Sequence, residues 1–355
     1  MSPLPRRASR AAVVAAAALL VLLATACGTE RAQVDRVSLP EPANRSDLAR
    51  LTGDIVADGS STVYPVTAAA AEEFMRYANG VRISVGISGT GGGFKKFCSG
   101  ETHIQNASRP ISTSDAAACK AGGIENIELP VAYDGLAVVI NPENTWAACL
   151  TRAELKKIWE PSAQGVIENW SQVRSTFPNV PLNLYGPGTD SGTFEYFTEA
   201  ITGKAKDSRG DFQASENDNV LVTGIGGDRG ALGYFGLAYY QENASKLQLV
   251  KVDNKGDGSC IAPTVQTVNN GTYQPLSRPI FIYVRTTEMK RLEVAAYINF
   301  YLGPSYTPLI ESREVGYVGL TRTQYESITQ RFNAGTTGTL FPNGAEVGAT
   351  LDRYR

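Results

Sequence analysis

The sequence predicts an α/β fold. Short strand-like runs alternate along the chain with stretches of helical character, the pattern of a sheet covered by helices rather than a β sandwich. Thirty-five Gly and 18 Pro among 355 residues mark many turns and backbone-lined loops and argue against a helical bundle. The length suits about two domains of roughly 100–200 residues, each large enough to bury a core.

The elements follow in order. Ile55 opens a short strand ending at Asp58-Gly59, and Ser60-Ser61-Thr62 then caps a helix through VYPVTAAAAEEFMRY, since hydroxyl oxygens accept the free N–H groups of a first turn. Val81–Gly86 alternates as a strand and runs into Ser88-Gly89-Thr90-Gly91-Gly92-Gly93, after which Phe94–Cys98 starts a helix. Ile104–Ala107 is another strand, followed by Ser108-Arg109-Pro110-Ile111. Val131–Asn141 is a longer strand-like run, and Thr151 caps a short amphipathic helix ending at Trp159. Leu182–Tyr185 is a strand leading through GPGTDSGT into a helix, FEYFTEAI. Pro279–Arg285 is strand-like, and Glu288–Leu302 carries the strongest helical pattern. No fixed-period repeat is present, but strand, Ser/Thr/Gly loop and helix recur at 55–75, 83–98 and 182–201.

The N-terminus reads as an address. Arg6, Arg7 and Arg10 precede an uninterrupted apolar run of 14 residues, Ala11–Ala24, short for a membrane span but right for a signal peptide. It ends Leu23-Ala24-Thr25-Ala26-Cys27, small residues before a Cys, as in a bacterial lipobox. Residues 1–26 are then removed, Cys27 is lipidated, and polar residues 28–50 form a flexible tether, so that the protein is anchored to the extracytoplasmic face of the cell membrane without spanning it. Losing three Arg leaves 30 basic against 35 acidic residues, a charge of −5 in place of −2. Four cysteines remain: Cys98, Cys119, Cys149 and Cys260. An even count in an exported chain reads as two disulfides, with three pairings open, and closeness in sequence favours Cys98 with Cys119.

Composition excludes several classes of function. The chain lacks the strong basic excess of a nucleic-acid binder. Its one histidine, His103, rules out a multi-histidine metal site and leaves a Ser-His-Asp triad a single candidate; His103 itself reads as a surface or capping residue. No metal or cofactor is expected. The three Ser/Thr/Gly loops are the positive signal. Free N–H groups at a helix start, with the helix dipole behind them, make an anion site; Gly lets the backbone approach, and Ser and Thr add rotatable donors. Arg109 can add a fork of parallel donors. Asp190, beside Ser191, can accept the proton of HPO4 or hold Arg109. The glycine loop is not a Walker loop, because Phe97 stands where a hydroxyl should follow Lys96.

Together DGSSTVYPVTAAAAEEF, GISGTGGGFKKFCSGE, IQNASRPIS, YGPGTDSGTFEYF and GDRGALGYFGLAYY resemble the phosphate-binding lipoproteins of bacterial ABC phosphate importers, the PstS-like members of the periplasmic-binding-protein superfamily. The resemblance covers most of residues 54–310. It implies a two-lobed periplasmic-binding-protein fold, type II-like, with two crossing strands at Tyr133–Ile140 and Pro279–Val284. Lobe I is then 51–132 plus 281–355 and lobe II 133–280, and the pairs Cys98–Cys119 and Cys149–Cys260 each fall inside one lobe. Carried over by position, the phosphate-binding residues are Ser61 and Thr62; Ser88, Thr90 and Gly91; Arg109; and Asp190, Ser191, Gly192 and Thr193. The chain departs from the enteric relatives, in which an Asp precedes the proline of the third motif and an Arg precedes the fourth. Arg109 stands at the first place here, and Pro187 near the second.

The function expected is a monomeric, non-enzymatic solute-binding protein that captures inorganic phosphate and passes it to membrane permease subunits. Alternatives are another oxyanion such as sulfate or molybdate, a surface phosphate sensor or adhesin, and, at a distance, an exported phosphatase.

Overall fold

Nine strands form one mixed sheet in the computed structural model, which describes residues 45–189, 191–215, 217–312, 315–342, 349–351 and 354. They are β1 (Thr52–Gly59), β2 (Gly80–Val85), β3 (Ile104–Ala107), β4 (Asn126–Ile140), β5 (Asn183–Gly186), β6 (Gln213–Ala214), β7 (Ala231–Gly236), β8 (Gln248–Leu249) and β9 (Ser277–Arg285). The order is β2-β1-β3-β9-β4-β7-β5-β6, with β8 also beside β4. The signal-peptide and Cys27 expectations lie outside the described residues, as does the tether as far as residue 44; Arg45–Leu48 form a short helix and Leu48 is buried in the core, so the expected tether does not extend to residue 50.

The sheet has two parallel halves and an antiparallel seam. β1 runs parallel to β2 and β3, and β5 parallel to β6 and β7. Between them, β4 and β9 are antiparallel to each other. Residues 126–135 of β4 pair with β9, whereas Leu136–Ile140 pair with β7. One strand therefore serves both halves, and a second accompanies it across. This is the two-lobed α/β architecture with crossing strands. β4 is buried along nearly its whole length, which explains why it reads as an apolar run rather than an alternating one. It begins at Asn126, well before the expected Val131. Pro130 does not end it: the ladder with β9 shifts register beside it, Ile280 facing Ala132 and Phe281 facing Pro130, so that Val131 is the extra residue and the proline sits at an irregularity, where a missing donor is tolerated.

Helices α1 (Tyr64–Tyr77), α2 (Gly89–Cys98) and α3 (Thr113–Ala121) belong to the first half, and α4 (Arg152–Trp159), α5 (Gly192–Thr202) and α6 (Asp218–Gly227) to the second. α7 (Leu292–Tyr301) and α8 (Arg322–Asn333) return to the first half. α7 packs on α1 through Phe74, whose ring lies 5.4 Å from that of Tyr297 and 5.5 Å from that of Phe300. The second half is organised on Trp159, with Phe197, Phe212 and Tyr234 at 5.0–5.5 Å. Disulfides join Cys98 to Cys119, tying α2 to α3, and Cys149 to Cys260 beside a small parallel strand pair, Cys149–Thr151 with Lys251–Asp253.

Local chemistry explains two further differences. The expected helix over Glu288–Leu302 is interrupted at Arg291, which is extended and bonds Glu288, Glu293 and the Asp54 carbonyl, so a short 3₁₀ turn precedes α7. His103 is not a surface residue: it is partly buried, and its Nδ1 accepts the Val56 N–H at 3.0 Å. Burial then holds its pKa below the usual imidazole value.

β4 also carries the fully buried Glu128. It accepts bonds from the hydroxyls of Tyr283, Thr339 and Tyr354 and from the Leu340 N–H, so one carboxylate fastens the C-terminal segment to the seam.

Candidate functional site

Three loops leave the carboxyl ends of β1, β2 and β3, which all point the same way, and a fourth leaves β5 in the other half. In open α/β sheets ligands bind outside such strand ends. The geometry of each loop follows from its sequence.

The first loop is Ser60-Ser61-Thr62. The helix begins only at Tyr64, with Val63 before it and no side-chain cap, so the expected hydroxyl cap is not formed. Pro65 explains the late start: it suits the first helical turn, where its missing N–H costs nothing. Ser60 accepts the Thr62 N–H on its side chain at 3.2 Å and bonds back to Asn106 through its own N–H at 2.9 Å. Thr62 is buried, and its carbonyl takes the Tyr317 hydroxyl.

In the second loop the Ser88 N–H reaches the Gly59 carbonyl at 3.0 Å, and its hydroxyl is committed to Asp58. Asp58 also takes Lys96 at 2.8 Å. Ser88 thus shapes the turn, with its hydroxyl donating to Asp58. Thr90 Oγ1 meets the Ser108 hydroxyl at 3.1 Å and accepts the Ser108 N–H at 3.2 Å, which joins the second loop to the third. Gly93 allows this packing, since a Cβ there would fall 2.5 Å from the Gly59 Cα. Gly91 faces open space at the start of α2.

Arg109 is engaged within its own segment. Its guanidinium bonds the Pro110 carbonyl at 3.1 Å and Asp115 at 3.0 Å, and lies over the Phe94 ring. In the fourth loop Ser191 caps α5, accepting the Thr193 N–H at 3.1 Å. Asp190 lies outside the described residues.

The first and fourth loops meet. A Cβ added to Gly192 would stand 2.9 Å from both the Cα and the N of Thr62, an approach that only glycine permits. Beneath this contact lies a cluster that the sequence reading did not assign. Arg278 of β9 pairs across the seam with Asp134 of β4, Nε to Oδ2 at 3.4 Å. Its NH2 donates to Thr62 Oγ1 at 3.3 Å, its NH1 lies 3.5 Å from Glu199, and its plane sits 3.8 Å over the Tyr196 ring. Burial raises the Asp134 pKa while Arg278 pulls it down, and burial also raises the hydroxyls of Tyr196 and Tyr317. Two signals point to the pair in the sequence. Asp134 is the lone acid in VAYDGLAVVI, and Ser277-Arg278-Pro279-Ile280 repeats the Ser108-Arg109-Pro110-Ile111 tetrapeptide. Among the described residues, no group of three or more His, Cys, Asp or Glu gathers as metal ligands do.

Comparison with known proteins agrees with this architecture. The model of the PBP superfamily domain matches residues 42–305. Protein SphX of Synechococcus elongatus is 50% identical over 298 residues, 84% of this chain and 87% of that protein. Phosphate-binding protein PstS of Staphylococcus saprophyticus is 34% identical over 282 residues, 79% and 84% of the two chains. The crystal structure of a possible phosphate binding protein from Planctomyces limnophilus superposes with a TM-score of 0.75 at 49% identity, covering 81% of this chain and 99% of that one. The chain belongs to the periplasmic-binding-protein superfamily and, within it, to the PstS-like family.

Proposed function

We propose that the protein captures inorganic phosphate between its two halves and delivers it to the membrane subunits of an ABC-type phosphate importer. The observation that carries this reading is the approach of the Gly192 loop to Thr62. It brings a Ser/Thr/Gly helix start of one half against a hydroxyl-bearing loop of the other, at the carboxyl ends of the strands. Ser61, Thr62, Thr90, Gly91, Ser191, Gly192 and Thr193 supply N–H and O–H donors to a tetrahedral oxyanion, with Asp190 as an acceptor for a phosphate proton. Donors fixed by the fold cost little reorganisation on binding. The relatives named phosphate-binding proteins support the same ligand. The protein binds its ligand and leaves it unchanged.

The reading includes an address. Residues 1–26 are a signal peptide, and Cys27, once lipidated, anchors a monomer to the outer face of the membrane by a tether that ends before the short helix Arg45–Leu48. Cys27→Ser should move the protein from the membrane fraction to the medium; unchanged membrane retention would remove the anchor from the reading.

Calorimetric titration with phosphate, sulfate and molybdate tests the ligand. Phosphate should bind at least about a hundredfold more tightly than either, a difference of about 2.8 kcal/mol. Equal binding of sulfate would replace phosphate with a broader oxyanion class.

A further inference from the structure

We propose that Arg278, on the crossing strand, is the cation that neutralises the bound anion and holds the two halves together around it, and that Asp134 is its positioning residue. This rests on the phosphate reading above.

The first reason is the looseness of its contacts. Arg278 is only 12% exposed, yet its polar partners stand at 3.3, 3.4 and 3.5 Å. Arg109, Arg174, Arg209, Arg285 and Arg291 each hold an acceptor at 3.0 Å or less. Charge-assisted bonds normally close to about 2.7–2.9 Å. A desolvated guanidinium with only long contacts retains donor strength that a compact oxyanion can use, and in a poorly solvated place that interaction is strong.

The second reason is position. The guanidinium touches Thr62 of one half and Tyr196 and Glu199 of the other, while its backbone belongs to the seam. Its tip lies at Thr62, where Gly192 closes in. An anion bound there would bridge Arg278 to donors from both halves, so that occupancy favours their approach. Arg109, the cation that the motif order suggests, is already spent on Asp115 and the Pro110 carbonyl.

Asp134 acts through Arg278. It lies directly opposite on β4 and is buried, so its single described ion pair orients the fork. The Tyr196 ring supports the flat face of the guanidinium from below, a favourable place for a cation. Among the described residues, the other charged and titratable groups around the cluster are Glu199, Tyr273 and Tyr317.

The test is phosphate titration of the full chain by calorimetry, with melting temperature measured with and without phosphate. Wild type, Arg278→Gln, Arg278→Lys and Arg109→Gln are compared. Arg278→Gln should weaken binding at least about a hundredfold and lose the phosphate-induced rise in melting temperature, Arg278→Lys should recover part of the loss, and Arg109→Gln should stay within about threefold of wild type. Wild-type affinity in Arg278→Gln overturns the inference while leaving the phosphate reading intact. Absence of phosphate binding in wild type overturns the phosphate reading itself. Should Arg278→Gln fail to fold, the double variant Asp134→Leu with Arg278→Met removes both buried charges at once, which cores tolerate better than half a pair. Phosphate affinity within about threefold of wild type in that variant would equally overturn the inference.

Discussion

Gly192 shows how one missing side chain lets two loops meet. Any Cβ at this position would press on the Thr62 backbone, which cannot swing aside as a side chain end could. Gly192→Ala should therefore weaken phosphate binding by at least about tenfold, in line with the roughly 1–3 kcal/mol cost of overpacking. The melting temperature should fall as well, because the methyl group has no room against Thr62. Calorimetry on the variant checks this, and unchanged affinity would mean that the two loops need not approach so closely. At this scale the sequence was legible in its hydroxyls and glycines and less so in its charges. Arg109 and Arg278 sit in the same Ser-Arg-Pro-Ile tetrapeptide, and only tertiary placement separates them. Asp115, six residues on from Arg109, claims the first; the opposite strand brings Asp134 to the second from 144 residues away. No local pattern can report a partner at that separation.

Elements were legible where their ends follow local rules. Thr151 and Glu154 form the capping box expected of a Thr before an amphipathic helix, and Ser191 caps α5. The rules failed where side chains had other work. Ser60 and Thr62 shape a loop before Tyr64 instead of capping α1, and Arg291 breaks a strong helical pattern by reaching three acidic or carbonyl partners. β4 was readable as a strand but not in its extent, because Pro130 sits beside a bulge at Val131 that only the pairing with β9 reveals. The same strand supplies a test of stability. Glu128→Ala would take the carboxylate partner from the buried hydroxyls of Tyr283 and Tyr354, and unsatisfied interior groups cost about 1–3 kcal/mol each. A loss of about 3–5 kcal/mol in denaturant unfolding is expected, of the size seen when one partner of a buried charged contact is removed. A loss below about 1 kcal/mol would show that the C-terminal segment is not fastened through this carboxylate.

The whole molecule was the most legible scale in class and the least in detail. Alternating strands and helices and the even cysteine count are local signals, and they were enough for the α/β class and the two disulfides. The order β2-β1-β3-β9-β4-β7-β5-β6 is not local, since it places β9 between strands that precede it by more than 130 residues. The small net negative charge of the chain means that, on the proposed function, anion capture must be short-ranged. Salt screens exposed charges beyond about 10 Å at 0.1 M, whereas a recessed guanidinium and fixed N–H groups act at contact.

β4 has a mechanical consequence. It is the ridge beam of a roof whose two slopes both hang from it, one from residues 126–135 and the other from residues 136–140. Neither slope can stand with a complete edge once the beam is lost, and each would then expose a row of unpaired backbone groups. The halves should therefore melt as one body. Scanning calorimetry is expected to show a single transition whose calorimetric and van't Hoff enthalpies agree, and two separated peaks would mean that each slope carries its own beam. The same continuity limits how the protein can open. Any bending between the halves has to pass through Gly135 and Leu136, where β4 changes partners.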